Sequence, residues 1–178
     1  LRSPLLLLRL ARATVEKPRL WRIDPVLGQA WPMHAAFLNN VRALAHSPTG
    51  ELYAIDSAPS STESRLYRLD LSVAPGDSAI KTFVGEIEFN LQPNLLLGAA
   101  FDASGVLYGW SASHGLITID IQDASPTDVN ASLDGNNWIQ SLAFAGDGSL
   151  IGGYEDLYAV DPLSGGSSLI GGPIGFGG

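Results

Sequence analysis

Leu157-Tyr158-Ala159-Val160-Asp161 is the stretch whose reading decides the fold. The same pattern recurs as Leu20-Trp21-Arg22-Ile23-Asp24, Leu66-Tyr67-Arg68-Leu69-Asp70 and Leu116-Ile117-Thr118-Ile119-Asp120. Apolar residues alternate within the copies, which reads as a strand. Each copy ends on Asp, and turn formers follow, as in Asp161-Pro162-Leu163-Ser164-Gly165. The copies lie about 40–50 residues apart, the length of a unit of four short antiparallel strands.

The units extend outward from these stretches. The first full unit reads as strands over Val41–His46, Glu51–Asp56, Arg65–Leu71 and Ala79–Gly85. The second reads as Leu96–Asp102, Val106–Trp110 and Leu116–Ile121, and the third as Ile139–Ala145, Ser149–Gly153, Leu157–Asp161 and Ser167–Gly171. Aligning the turn glycines Gly50, Gly105 and Gly148 brings other residues into columns: Leu44, Ala99 and Leu142; His46, Phe101 and Phe144; Leu52, Leu107 and Leu150; Tyr53, Tyr108 and Ile151. Leu44, Leu52, Leu69, Leu107, Ile119, Leu142, Leu150 and Val160 are the expected core, with the repeated Asp side chains at turns. Sheets this small cannot cover their own faces, so neighbours must stack.

The pattern resembles bacterial β-propeller repeats, L-A-F-x-x-x-G-x-L-Y-x-x-D followed by L-Y-x-I-D-x-x-x-G and L-I-G. The resemblance runs over residues 20–171 and implies an all-β propeller of about three and a half four-stranded antiparallel blades, a partial or open ring. The divisions are a half blade at 20–38 and blades at 39–91, 92–136 and 137–178. Residues 1–19 hold no repeat and five of the ten basic residues, and are set aside as a leader. A ring of this type has 4–8 blades, so the expectation is a section of a larger propeller or an arc that self-associates. Asp24-Pro25-Val26-Leu27-Gly28-Gln29-Ala30-Trp31 also resembles the tryptophan-docking repeat of quinoprotein dehydrogenases, with its Trp one place early; the likeness is read as structural.

Composition narrows the function classes. The chain has 178 residues, 46% of them hydrophobic, with 20 glycines and a formal charge of −8. An acidic surface repels phosphate backbones, which argues against a nucleic-acid partner. No cysteine is present, which removes disulfides, thiol nucleophiles and Cys-ligated zinc. No apolar run reaches the ~18 residues of a membrane-spanning helix. The short run Leu5–Leu8 after Arg2, with Ala11-Arg12-Ala13 behind it, resembles the remnant of a secretion signal, which sets an extracellular or periplasmic expectation.

Motifs that carry chemistry are missing: G-x-S-x-G, H-E-x-x-H, a P-loop and a strand-to-helix dinucleotide fingerprint. His34, His46 and His114 have no metal-ligand spacing. His46 shares its column with two phenylalanines and reads as a core or semi-core ring. The repeated Asp residues read as turn caps rather than as calcium ligands. Asn130-Ala131-Ser132 is a glycosylation sequon. No catalytic residue, metal or cofactor is expected.

In a propeller, the loops entering the innermost strands and the loops between second and third strands meet at one mouth of the central channel. The matching positions are Asn39, Asn94 and Asn137, with Arg42, Trp138 and Gln140 nearby, and Trp110, His114 and Glu155 from the second set. Amides, indoles and one Arg suit sugars or peptides; turn formation is the structural alternative for the Asn residues. Three functions stay open: a non-catalytic interaction or scaffold module, a carbohydrate- or peptide-binding module, and a lactonase-like hydrolase or quinoprotein whose site lies in further blades.

Overall fold

A computed structural model describes residues 5–9, 19–35, 38, 40–57, 62–74, 79–132 and 139–171. Among them there are strands and turns and no helix. The first sheet is β1 (Leu5–Arg9), β2 (Arg19–Ile23) and β3 (Ala30–Ala35). The second is β4 (Val41–His46), β5 (Leu52–Asp56), β6 (Arg65–Asp70) and β7 (Ile80–Glu86). A small hairpin follows, β8 (Glu88–Phe89) and β9 (Gln92–Pro93). The third sheet is β10 (Leu96–Phe101), β11 (Leu107–Ser111), β12 (Gly115–Ile119) and β13 (Pro126–Asp128). The fourth is β14 (Ser141–Phe144), β15 (Leu150–Gly153), β16 (Leu157–Val160) and β17 (Ser167–Gly171). Each sheet runs in chain order with antiparallel neighbours.

Local chemistry explains the regularity. The first two strands of each four-stranded sheet are joined by turns ending on Gly50, Gly105 and Gly148, at φ 95°, 92° and 87°. Side chains rarely adopt that region, so glycine sits there three times. The turns after the repeated Asp residues close on Gly28, Ala124 and Gly165, at φ 65°, 66° and 69°. Asp24, Asp70, Asp120 and Asp161 each accept, through Oδ1, the amide two residues on, at 2.8–2.9 Å. They are turn caps, as their position before turn formers indicated. Bulges recur too: where the strand of the five-residue pattern pairs with the strand after it, the register shifts between Leu20 and Trp21, Leu66 and Tyr67, and Leu157 and Tyr158. These are the same two positions in three copies of the five-residue pattern.

Alternation along each strand feeds two cores, one on either face. Leu52, Ala54 and Leu69 of the second sheet meet Leu20 and Leu38. Tyr53, Ile55 and Leu66, on its other face, meet Leu96, Ala99, Phe101, Leu107, Ile117 and Ile119 of the third. Ala100, Trp110 and Leu116 then meet Ile139, Leu142, Leu150 and Val160 of the fourth. Of the eight expected core residues seven are buried; Leu44 is half-buried against the first cluster of the series. The sheets therefore stack side by side as blades, and the described residues do not close a ring.

Two expectations change. Leu5–Arg9 lay in the segment set aside as a leader, yet it pairs along β2 in register Leu5↔Ile23 to Arg9↔Arg19. The first sheet thus has three strands, where the repeat accounted for two. His46 was expected as a core or semi-core ring and is exposed, whereas Phe101 of the same column is buried and Phe144 half-buried.

Candidate functional site

The expected channel-mouth residues divide into buried and surface groups. Asn94 is 1% exposed. Its Oδ1 accepts the Ser111 hydroxyl at 2.6 Å and the Ser113 hydroxyl at 3.4 Å. Ser111 Oγ in turn accepts the amides of Ser113 and His114 at 3.2 and 3.0 Å. Asn94 thereby ties the entry of β10 to the loop between β11 and β12, as Asp56 Oδ1 ties the entry of β4 by accepting the Asn40 amide at 2.8 Å. Asn94 Nδ2 is buried with no partner among the described residues.

Trp110 is likewise 1% exposed and belongs to the core between the third and fourth sheets, so it presents no binding face. His114 is half-buried. Its ring stacks on Phe89 with centroids 4.1 Å apart, and its Nδ1 lies 2.9 Å from Ser113 Oγ. The β8–β9 hairpin, which carries no repeat signal, supplies that phenylalanine. Arg42 is exposed at a bulge of β4, where the register shifts between Val41 and Ala43. Gln140 is exposed and its amide donates to the Gly153 carbonyl at 3.0 Å. Glu155 is exposed in a shallow recess of about 300 Å³ with Tyr154, Asp156 and Tyr158. Asn39, Asn137 and Trp138 lie outside the described residues. Among the described residues no three His, Asp or Glu side chains are placed to hold a metal ion.

The opposite face carries a larger concavity, of about 660 Å³. Its walls are His46, Phe101 and Phe144, the aligned column, with Tyr108, Pro48, Pro162 and Leu163. Three successive first strands deliver their last side chain to this place, His46 exposed, Phe144 half-buried and Phe101 buried. Tyr108 meets Phe144 edge-on, with centroids 5.4 Å apart at 62°, and Phe101 meets Tyr53 at 5.4 Å. Burial raises the Tyr108 phenol above its ordinary value, and the Asp102 charge adds to this.

Carboxylates stand around this concavity. Asp102 accepts the amides of Ser104 and Val106 at 2.9 and 2.8 Å. Burial opposes its ionisation, but hydrogen bonds from Val106, Ser104 and Gly105 outweigh it and hold the carboxyl below the usual range. Asp147, between the lining residues Gly146 and Gly148, is lowered by the Ser149 hydroxyl and amide. Asp161, next to Pro162, is lowered by the Ser164 hydroxyl and the Leu163 amide. All three are therefore anionic at neutral pH. Sequence reasoning missed this site; the signal was the repeated aromatic column itself, read as core.

No protein-family model matches the chain, and no curated protein matches it. Solved structures do. A protein of unknown function from Bacteroides thetaiotaomicron aligns at TM-score 0.59 and 14% identity, over 88% of this chain and 39% of that one. A gluconolactonase from Xanthomonas campestris aligns at 0.56 and 16%, over 89% and 47%. A chain of a nidogen/laminin complex aligns at 0.58 and 14%, over 88% and 57%. This chain thus spans about two fifths to three fifths of their lengths. At such identities the likeness concerns the fold alone, and with the stacked four-stranded antiparallel sheets it establishes an all-β propeller architecture.

Proposed function

We propose that the chain is a non-catalytic interaction module, which holds a protein partner on the concavity formed by the ends of its first strands. The observation that carries this reading is the convergence of His46, Phe101 and Phe144, from three consecutive sheets, on the walls of one open concavity, with His46 exposed, Phe144 half-buried and Phe101 buried behind them. Aromatic rings with partly wet edges are favoured at protein interfaces. The nearby carboxylates are bound into turns by two or more hydrogen bonds each, which suits charged rims better than proton transfer. A nidogen/laminin complex among the similar structures supports the use of such a fold within a protein assembly. The outward residues Ala143, Ile151, Ala159 and Leu157 of the fourth sheet add an apolar face suited to a further blade or a second copy.

Two arms test the reading. Panning a displayed random-peptide library against the immobilised chain should enrich binders whose capture falls on Phe144→Leu. Glucono-lactone hydrolysis with added calcium, manganese or zinc should run no faster than in buffer. Metal-dependent hydrolysis abolished by a substitution in this chain, or panning without Phe144-dependent enrichment, would overturn it.

A further inference from the structure

The charges of this chain are segregated along its length. After Lys81 there is no Lys or Arg, while eleven Asp and Glu residues follow. The third and fourth sheets belong wholly to this part of the chain, and the aromatic concavity lies largely between them. The lining residues beyond His46 and Pro48 all come from it, and none is basic. The field there is one-signed, and a low-dielectric recess between walls of one charge concentrates it.

We propose that this concavity binds an extended basic segment of a partner protein, with an arginine side chain laid against the Tyr108–Phe144 pair. The inference rests on the interaction-module reading and adds the partner's chemistry. A guanidinium within about 6 Å of an aromatic face is attracted by the ring, more strongly where water is thinned. Phe144 and Tyr108 are half-buried and line the recess, so they offer ring surface without filling it. Leu163, 88% exposed, and Pro162 and Pro48 provide apolar surface for the methylene stem.

Asp102, Asp147 and Asp161 supply the counter-charge. Both Ser149 hydrogen bonds to Asp147 go to Oδ1, at 3.0 and 2.6 Å, which leaves Oδ2 to a ligand. Asp161 accepts one bond on each oxygen, from Leu163 at 2.9 Å and Ser164 at 2.6 Å. A carboxylate has about four acceptor sites, so turn capping fixes Asp147 and Asp161 in place and leaves capacity for a guanidinium, while Asp102, which also accepts the Ser104 hydroxyl on both oxygens at 2.8 and 2.9 Å, contributes its charge. On His46, which lines the same rim, Nδ1 lies 3.1 Å from the Ser47 carbonyl and donates to it.

The test uses a fluorescein-labelled nonapeptide bearing three arginines and the same peptide with citrulline at those places. Fluorescence anisotropy is read with the whole chain at about 20 mM and about 300 mM salt. The arginine peptide should bind at least about tenfold tighter than the citrulline peptide at low salt, and the gap should shrink at high salt. D102N/D147N/D161N should weaken it about tenfold, since Asn retains the oxygen that caps each turn while the charge is removed. Phe144→Leu keeps an apolar filling and should weaken binding severalfold through loss of the ring face. Urea midpoints of both variants show whether they are folded. Equal binding of the two peptides, no binding of either, or full binding by a folded triple variant would overturn the inference. If neutral peptides from the panning still bind in a Phe144-dependent way, the interaction-module reading stands and the basic partner falls.

Discussion

Gly98 is where two blades come closest, and substituting it probes the stacking directly. It lies on β10, and a Cβ built there would stand 2.8 Å from the Ser141 Cα and 3.0 Å from the Leu142 amide nitrogen. Both atoms are backbone of β14, in the next sheet, so no side chain can swing away. Gly98→Ala must push two first strands apart by several tenths of an ångström. Overpacking of this kind costs about 1–3 kcal/mol, and a rigid backbone neighbour favours the upper half. Reduced freedom of the unfolded chain returns about 0.4–1 kcal/mol. The net loss should be roughly 1.5–2.5 kcal/mol. With a urea slope of about 1–3 kcal/mol per molar, the midpoint falls by about 1 M. Emission from Trp110, buried in the core beside this contact, reports the transition. Gly146→Ala is the control, because a Cβ there meets nothing within 4 Å. It should leave stability unchanged or raise it by up to about 1 kcal/mol, through the same reduced freedom of the unfolded chain. Equal midpoints for the two variants would refute the close approach of β10 and β14.

Leu142→Ala should cost about 2–5 kcal/mol, since Leu142 is 9% exposed in the core between the third and fourth sheets; a loss below about 1 kcal/mol in the same denaturation series would remove it from that core. Leu91 stands in the left-handed region at φ 61° and is 85% exposed, so Leu91→Gly should raise stability in the same denaturation series, by the roughly 1–2 kcal/mol of relieved strain less about 0.5–1 kcal/mol for the entropy of the added glycine; a loss of stability would refute the strain at Leu91. Asp70, Asp123, Asp147 and Asp161 are held below the ordinary carboxylate range by hydrogen bonds from residues Ser72, Ser125, Ser149 and Ser164 respectively. A folded-state value below the unfolded one means that their contribution is complete above the unfolded value, about pH 4, and is lost as pH falls through the folded values. Denaturation midpoints should therefore fall below about pH 4, and Ser149→Ala with Ser164→Ala should shrink that acid loss.

Much of the fold was legible because each unit carries its own punctuation. The Asp-initiated turns and the glycines at Gly50, Gly105 and Gly148 are set by local backbone chemistry, which a sequence displays directly. β1 was not legible: Leu5–Leu8 is unbroken leucine, with no alternation and no repeat column, and only its partner β2 makes it a strand. β13 was missed because Pro126–Asp128 is short and its polar residues resemble a loop. The site was harder still. Trp110 and Asn94 looked like surface residues from their place beside loops; the fourth sheet covers the first and the Ser111 hydroxyl engages the second. Conversely, His46 and Phe144 looked like core from the column they share with Phe101, yet only Phe101 is buried. Whether a strand-end position is covered depends on what the next sheet places against it, and that is a tertiary quantity.

The central claim is that residues from separate repeats lie side by side through their first strands. The most direct measurement is a nuclear Overhauser spectrum of the isotopically labelled chain, read for Gly98 α protons against the Leu142 amide proton. These residues share no sheet, and the account predicts a strong cross-peak, because a Cβ on Gly98 would stand only 3.0 Å from the Leu142 nitrogen. Cross-peaks between β10 and β11, such as Ala100 with Tyr108, serve as the internal standard. If those are present while the Gly98–Leu142 cross-peak is absent, the sheets form but do not stack as blades, and the account is contradicted.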